Sequence, residues 1–182
     1  YNNGITGKDT LFIQKASVTV NAVNHGINGK DSLTIKDADI TVTSGGDALR
    51  STNDSDTTLG YLVITGSALK LTAGEDGIQA ETTLTISGGT ATVTTAGGAG
   101  QSISDDTSAK GLKAGTQVTV TGGTFQLNCC DDAIHSNGDV TISGGSFTIA
   151  TGDDGMHADD TLSISSGTID ITRSYEGLEG AK

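Results

Sequence analysis

Three pairs of adjacent acidic residues recur at equivalent positions of a repeat in this 182-residue chain. The pairs are Glu75-Asp76, Asp131-Asp132 and Asp153-Asp154, and Glu176 occupies the same position one repeat later. Carboxylates stacked on neighbouring parallel strands, about 4.8 Å apart, repel each other by roughly 1 kcal/mol in water and by more at a protein surface. A column of such pairs therefore favours a cation between the strands.

Carboxylate oxygens at flexible spacing are the ligands that Ca²⁺ prefers. The pattern predicts Ca²⁺ bound by Asp131, Asp132, Asp153 and Asp154, with Glu176 continuing the row and a second, weaker site at Glu75 and Asp76. Asp105 and Asp106 lie in an insertion that places them within reach of either site. The alternative is that each acid caps a turn by accepting a backbone N–H, as Asp often does. The doubling of the acids in consecutive repeats favours calcium.

Basic and imidazole side chains form a second column in three successive repeats, three residues after the position of the second acid. Lys113, His135 and His157 occupy it in three successive repeats, and Lys110 stands at the acidic position itself. Cations and hydrogen-bonding groups beside calcium predict a track for an acidic sugar chain, with an ordinary mixed polar surface as the alternative. The two histidines are also potential transition-metal ligands, although the sequence shows no third partner for them.

These columns depend on a repeat that runs through the whole chain. A small residue followed by an aliphatic one is spaced by 22, 22, 29, 34, 22, 22 and 22 residues. The eight pairs are Gly4-Ile5, Gly26-Ile27, Ala48-Leu49, Gly77-Ile78, Gly111-Leu112, Ala133-Ile134, Gly155-Met156 and Gly177-Leu178. A period this regular is typical of stacked repeats that form one domain over residues 1–182, with insertions near 51–58 and 96–109.

Apolar residues at alternate positions within each repeat indicate strands with one buried face. In the sixth repeat they are Ile134, Val140, Ile142, Phe147 and Ile149, and the pair Gly144-Gly145 marks a turn between strands. We therefore expect an all-β fold, specifically a right-handed single-stranded parallel β-helix (β-solenoid) of about eight coils of 22 residues, with three short strands per coil.

Composition limits the function classes. A net charge of −12 argues against nucleic acid and anionic membrane surfaces as partners, and no apolar run is long enough for membrane insertion. Trp is absent, and Tyr1, Tyr61 and Tyr175 are scattered, which favours acidic sugars over cellulose as the ligand. The chain starts and ends inside a repeat, so we expect a mature or excised portion of a longer protein.

The two cysteines, Cys129 and Cys130, are adjacent and cannot link separate repeats. Two readings stay open, a strained vicinal disulfide and a pair of free, semi-buried thiols. Without further Cys or a His cluster the pair is not a zinc motif.

Five segments resemble the secreted bacterial β-helix carbohydrate-binding domains, a family related in architecture to pectate lyases. The segments are EDGIQAETTLTISGGT (75–90), SAKGLKA (108–114), DDAIHS (131–136), DDGMHADDTLSISSGT (153–168) and SYEGLEG (174–180). The resemblance implies a calcium-containing domain, secreted or at the bacterial cell surface, that binds cellulose and acidic sugars such as polygalacturonate. It also implies that Asp131, Asp132, Asp153 and Asp154 bear calcium and that Lys110 and Lys113 lie between them.

The sequence thus predicts a non-catalytic extracellular module that binds acidic or plant-cell-wall polysaccharide and is stabilised by Ca²⁺. One alternative is a calcium-dependent pectate lyase with Lys110 or Lys113 as the base, and Arg173 as a remoter candidate. Another is a structural subunit that self-associates end to end into an extracellular filament, because exposed strand edges invite pairing.

Overall fold

A computed structural model of the protein describes residues 2–104 and 106–182, and every regular element in these stretches is a β-strand. No helix there has the length and apolarity that crossing a membrane requires. In chain order the strands are β1 (Ile5–Gly7), β2 (Thr10–Gln14), β3 (Ser17–Ala22), β4 (Ile27–Gly29), β5 (Ser32–Lys36), β6 (Asp39–Ser44), β7 (Leu49–Ser51), β8 (Tyr61–Thr65), β9 (Ala68–Ala73), β10 (Ile78–Ala80), β11 (Thr83–Thr95), β12 (Leu112–Ala114), β13 (Gln117–Cys129), β14 (Ile134–Ser136), β15 (Asp139–Ile142), β16 (Ser146–Thr151), β17 (Met156–Ala158), β18 (Leu162–Ile164), β19 (Thr168–Arg173) and β20 (Leu178–Gly180).

The strands form two parallel sheets. The first contains eight three-residue strands in the order β1-β4-β7-β10-β12-β14-β17-β20. The second contains twelve strands, with β18-β15-β13-β11-β8-β5-β2 as its main path and β3, β6, β9, β16 and β19 joined to it through β11 and β13. In the eight-stranded sheet Ile134 pairs with Leu112 on one side and with Met156 on the other, so strands one repeat apart are neighbours.

The predicted architecture, a right-handed single-stranded parallel β-helix (β-solenoid) of about eight coils, is wrong, whereas the all-β class is confirmed. The described residues form two large sheets with different strand orders, and the second and third strands expected in each coil belong to one twelve-stranded sheet. The physical reason lies at the glycine pairs. β11 runs unbroken for 13 residues through Gly88 and Gly89, whose φ angles are 78° and 88°. Glycine adopts such angles without a Cβ clash, so the chain bends there without leaving the sheet.

Aliphatic side chains on alternate strand positions form a continuous core between the sheets. In β6 and β9 exposed and buried residues alternate strictly, as expected for strands with one solvated face. Phe125 and Phe147 pair across β13 and β16, and their rings stack with centroids 4.7 Å apart and planes inclined by 7°. The core therefore leaves the turns before the eight-stranded sheet as the main place for polar chemistry.

Both cysteines are free thiols and both are buried. Burial raises the pKa of the Cys129 thiol to about 12, so it stays protonated at neutral pH and is a poor nucleophile. Of the two readings left open by the sequence, the structure has the pair of free thiols.

Candidate functional site

Four buried aspartates precede strands of the eight-stranded sheet, and we call them the acid row. They are Asp47, Asp76, Asp132 and Asp154. Each carboxylate accepts the backbone N–H of the equivalent residue one repeat later. The bonds run from Asp76 N to Asp47 Oδ1 (3.1 Å), Lys110 N to Asp76 Oδ1 (2.8 Å), Asp154 N to Asp132 Oδ1 (3.0 Å) and Glu176 N to Asp154 Oδ1 (3.1 Å). One oxygen of each acid thus caps a turn and links two repeats.

The second oxygen of each acid faces a basic side chain of the eight-stranded sheet. We call these side chains the basic row: Arg50, Lys113, His135 and His157. Arg50 lies 3.1 Å from Asp47, His135 lies 2.8 Å from Asp132, and His157 lies 3.4 Å from Asp154. Lys113 reaches back one repeat to Asp76 at 3.3 Å. The side chains of the predicted sugar-binding track, Lys113, His135 and His157, are therefore already paired with acids of the acid row.

Lys110 interrupts the acid row because its side chain cannot accept an N–H. Asp131 compensates, since its Oδ1 accepts the N–H of Asp132 at 2.8 Å. The ammonium of Lys110 lies 2.7 Å from both Asp131 Oδ1 and Asp132 Oδ2, with 15% of its side chain exposed. Lys110 thus supplies a cation between two of the predicted calcium ligands.

Charge balance differs between the acids of neighbouring repeats. Burial opposes ionisation of Asp132, but hydrogen bonds from His135 and Lys110 outweigh it and hold the pKa of that carboxyl well below its usual range. For Lys110 burial alone would lower the pKa, and the bonds to Asp131 and Asp132 reverse this and raise it. Partial burial and then the neighbouring carboxylate of Asp132 raise the pKa of Asp153. Among the described residues no ion pair reaches Asp153, whereas Asp131 and Asp132 both pair with Lys110.

The insertion near 96–109 divides the surface beside the acid row into three clefts. The first, of about 570 Å³, is lined by the insertion and by Asp131, Asp153 and Arg173. The second, of about 470 Å³, includes Glu75 and Asp76, and the third, of about 340 Å³, includes Lys110, Lys113 and His135. Ser108 ties the insertion to the row by donating to Asp76 Oδ1 at 2.7 Å. Asp106 lines the second and third clefts, whereas Asp105, like Tyr1, lies outside the described residues.

The predicted calcium ligands do not converge on one point. One ligand atom each of Asp131, Asp132 and Asp153 lies within 4.8 Å of the others, while Asp154 groups instead with His157 and Glu179. Glu75 groups with His25 and Asp47 rather than with Asp76, and in the described part of the chain Glu176 joins no such group.

Sequence reasoning missed the contacts between the two rows. The partners of Asp47, namely His25 and Arg50, were not predicted, and neither was Glu179 beside His157. The signal was present, because an acid and a basic residue spaced by three recur as Asp47/Arg50, Asp132/His135 and Asp154/His157.

The acid row predicts a pH dependence of stability centred on Asp47. Burial and then the carboxylate of Asp76 raise the pKa of Asp47 to about 6, despite the nearby Arg50 guanidinium. Between about pH 4 and pH 6 the folded chain therefore binds more protons here than the unfolded chain, and the free energy of unfolding falls as pH rises. The full effect above pH 6 is about 3 kcal/mol.

Urea unfolding of the wild type and Asp47→Asn in calcium-free buffer between pH 4 and pH 7 measures this effect. The variant keeps an oxygen for the N–H of Asp76 but has no carboxyl to titrate, so its stability is expected to fall less steeply with pH. Asp39→Asn, at an exposed position of β6, is the matched control and should keep the wild-type slope. Equal slopes for wild type and Asp47→Asn would contradict the assignment.

Comparisons with known proteins bear on the family and the fold. A family model described as "Carbohydrate-binding domain-containing protein" matches residues 1–155. Among solved structures the chain is similar to the polysaccharide lyase-like protein from C. thermocellum, determined as a gadolinium derivative, with a TM-score of 0.56 and 18% sequence identity. That match covers 100% of this chain and 84% of the other, and at this identity it concerns the fold alone. The search of curated proteins gives no match.

Proposed function

We propose that this chain, which belongs to the carbohydrate-binding domain-containing protein family, is a non-catalytic module. It binds acidic polysaccharide of the polygalacturonate type through Ca²⁺. The observation that carries the proposal is the position of Asp153, which offers a carboxylate oxygen within 4.8 Å of those of Asp131 and Asp132 and lines the first cleft together with Asp131. A chain with a net charge of −12 needs a bridging cation to hold a polyanion.

Calcium fits the donors at this place. Asp131 and Asp153 present carboxylate oxygens to the first cleft, and Asp132 lies behind them within 4.8 Å. Lys110 already neutralises part of the charge of Asp131 and Asp132, so a further cation would be stabilised most by the carboxylate of Asp153. Bound Ca²⁺ would supply open coordination positions for uronate and water oxygens.

Basic groups on either side of this position suit further uronate carboxylates. Asp131 lines both the first and the third cleft, so a sugar chain bound at calcium can extend in two directions. Arg173 lines the first cleft, and Lys113 and His135 line the third. A guanidinium binds a carboxylate with two parallel hydrogen bonds, which gives orientation as well as affinity.

A lyase is the competing function, suggested by the name of the structurally similar protein. A β-elimination needs a deprotonated base beside calcium. Asp131 and Asp132 raise the pKa of Lys110, which favours its charged form and counts against that role. Lys113 is engaged by Ser108 Oγ at 3.0 Å and by Asp76 at 3.3 Å. Binding without cleavage therefore agrees better with this arrangement.

A secreted or cell-surface location is part of the proposal. The site offers few protein ligands and keeps an open side, which is typical of modules that bind calcium at about 10⁻⁴–10⁻³ M in extracellular fluid.

Calorimetric titration of Ca²⁺, followed by binding to polygalacturonate, tests the proposal. Asp153→Asn is expected to weaken calcium at least about tenfold and to weaken polysaccharide binding with it, because one charged ligand is lost. Asp39→Asn removes the same charge on the exposed side of β6 and should leave both affinities unchanged. If Asp153→Asn bound calcium as the wild type does, the proposed site would be wrong.

A further inference from the structure

Two histidine rings lie one above the other on the face of the eight-stranded sheet. His135 in β14 pairs in register with His157 in β17, and their ring centroids are 4.9 Å apart with an angle of 65° between the planes. Parallel pairing sets the backbones close together, so neither ring can move far from the other without leaving the sheet.

Asp132 supplies the third ligand that the sequence did not reveal. Its Oδ2 lies 2.8 Å from His135 Nδ1, and one ligand atom each of Asp132, His135 and His157 lies within 4.8 Å of the other two. The carboxylate is only 2% exposed as a residue and is held by the N–H of Asp154 at 3.0 Å. Lys110 Nζ lies 2.7 Å from the same Oδ2, so a metal ion bound there would displace the ammonium, which keeps its bond to Asp131. A rigid carboxylate therefore stands beside two imidazoles that are half-buried at the surface.

We propose that Asp132, His135 and His157 form a binding site for a divalent first-row transition metal such as Zn²⁺. Two imidazoles and one carboxylate are a donor set that suits zinc and its neighbours, whereas Ca²⁺ prefers oxygen ligands alone. The site differs in its chemistry from the calcium position at Asp153, although Asp132 lies beside both, and it does not depend on polysaccharide binding. Three protein ligands leave open positions for water or for an external donor.

Acceptors around the two rings are placed to orient them. Asn137 Oδ1 lies 3.1 Å from His135 Nε2, and Asp159 Oδ1 lies 3.3 Å from His157 Nε2. Outer groups of this kind commonly fix the tautomer and the ring orientation of metal-binding histidines. Glu179, 3.7 Å from His157 Nδ1, adds negative charge that favours a cation.

His25 provides a control within the same chain. Its Nδ1 accepts the N–H of Asp47 at 3.0 Å, and the Arg50 guanidinium lies 2.7 Å from its Nε2. The ring nitrogens of His135 face acceptor oxygens, whereas a guanidinium lies against Nε2 of His25 and would repel a metal ion. We therefore expect His25 to bind no metal, although Asp47 and Glu75 lie near it.

Zinc titration of the wild-type chain, followed by calorimetry and by the imidazole resonances in NMR, tests the proposal. We expect about one Zn²⁺ per chain, with the His135 and His157 resonances shifted, the His25 resonances unchanged, and excess Ca²⁺ unable to displace the metal. The imidazole readout separates this site from the buried thiols of Cys129 and Cys130.

Two variants complete the test. His157→Gln is expected to weaken Zn²⁺ at least about tenfold, whereas His25→Gln should bind it as the wild type does. The proposal would be overturned if Zn²⁺ caused no shift of the imidazole resonances in the wild type, whatever the stability of the variants. Full displacement by equimolar Ca²⁺ or an unchanged affinity in His157→Gln would overturn it as well.

Discussion

Replacing Asp132 by alanine is expected to destabilise the fold by about 3–5 kcal/mol, because it leaves buried partners of a carboxylate uncompensated. Asp132 is buried and bonds to Lys110 Nζ at 2.7 Å, His135 Nδ1 at 2.8 Å and Asp154 N at 3.0 Å. Without it the ammonium of Lys110 keeps only Asp131, and the N–H of Asp154 has lost its acceptor. The acid row would thus lose the carboxylate that holds Lys110, His135 and the N–H of Asp154 together.

Urea unfolding at pH 7 in calcium-free buffer measures this loss. Asp132→Asn keeps an oxygen for the N–H of Asp154 but not the charge, so its stability should lie between the wild type and the alanine variant. Asp159→Ala, an exposed aspartate after β17 of the same sheet, should change stability by less than about 0.5 kcal/mol. A loss below about 1 kcal/mol in Asp132→Ala would show that the row contributes little to the fold.

Truncating Phe147 to alanine is expected to cost about 3–5 kcal/mol through lost burial and the cavity left behind. The ring is 1% exposed and stacks on Phe125 at a centroid distance of 4.7 Å, and both side chains belong to the continuous core between the sheets. Because sheet pairing fixes the flanking backbone, the core cannot close the cavity by moving strands together.

Phe12→Ala is the matched control for Phe147→Ala. Phe12 occupies β2 of the same sheet but is 56% exposed, so the same truncation there should cost less than about 1 kcal/mol. Chemical unfolding of both variants gives the two numbers side by side. Similar losses in the two variants would mean that burial is not what stabilises this region.

The repeat predicts much of the strand register, because residues that lie 22 positions apart are paired in neighbouring parallel strands. His135 next to His157 and Phe125 next to Phe147 follow directly from that spacing. The union of strands into one twelve-stranded sheet did not follow, since it depends on the backbone angles of glycines such as Gly88 and Gly89. Glycine pairs mark a turn in sequence but do not show whether the strand continues through it.

The candidate site was predictable as a set of columns but not as a set of contacts. Spacing identified the acids before the strands and the basic and imidazole residues within them. It offered the backbone N–H as an alternative to calcium but could not show that Asp76 and Asp132 accept one. Nor could it show that the ammonium of Lys110 lies between Asp131 and Asp132. Such choices depend on side-chain rotamers and burial. The insertion near 96–109 has no period, and its position between three clefts emerged only in three dimensions.

Chromatography of the wild-type chain on immobilised polygalacturonate, with the effluent monitored for unsaturated uronate, tests the central claim most directly. The account predicts retention in millimolar Ca²⁺, elution by a calcium chelator and no unsaturated product. A calcium-bridged binding module would be contradicted if the chain were not retained, or if the chelator did not elute it. Accumulation of unsaturated uronate would contradict a non-catalytic role.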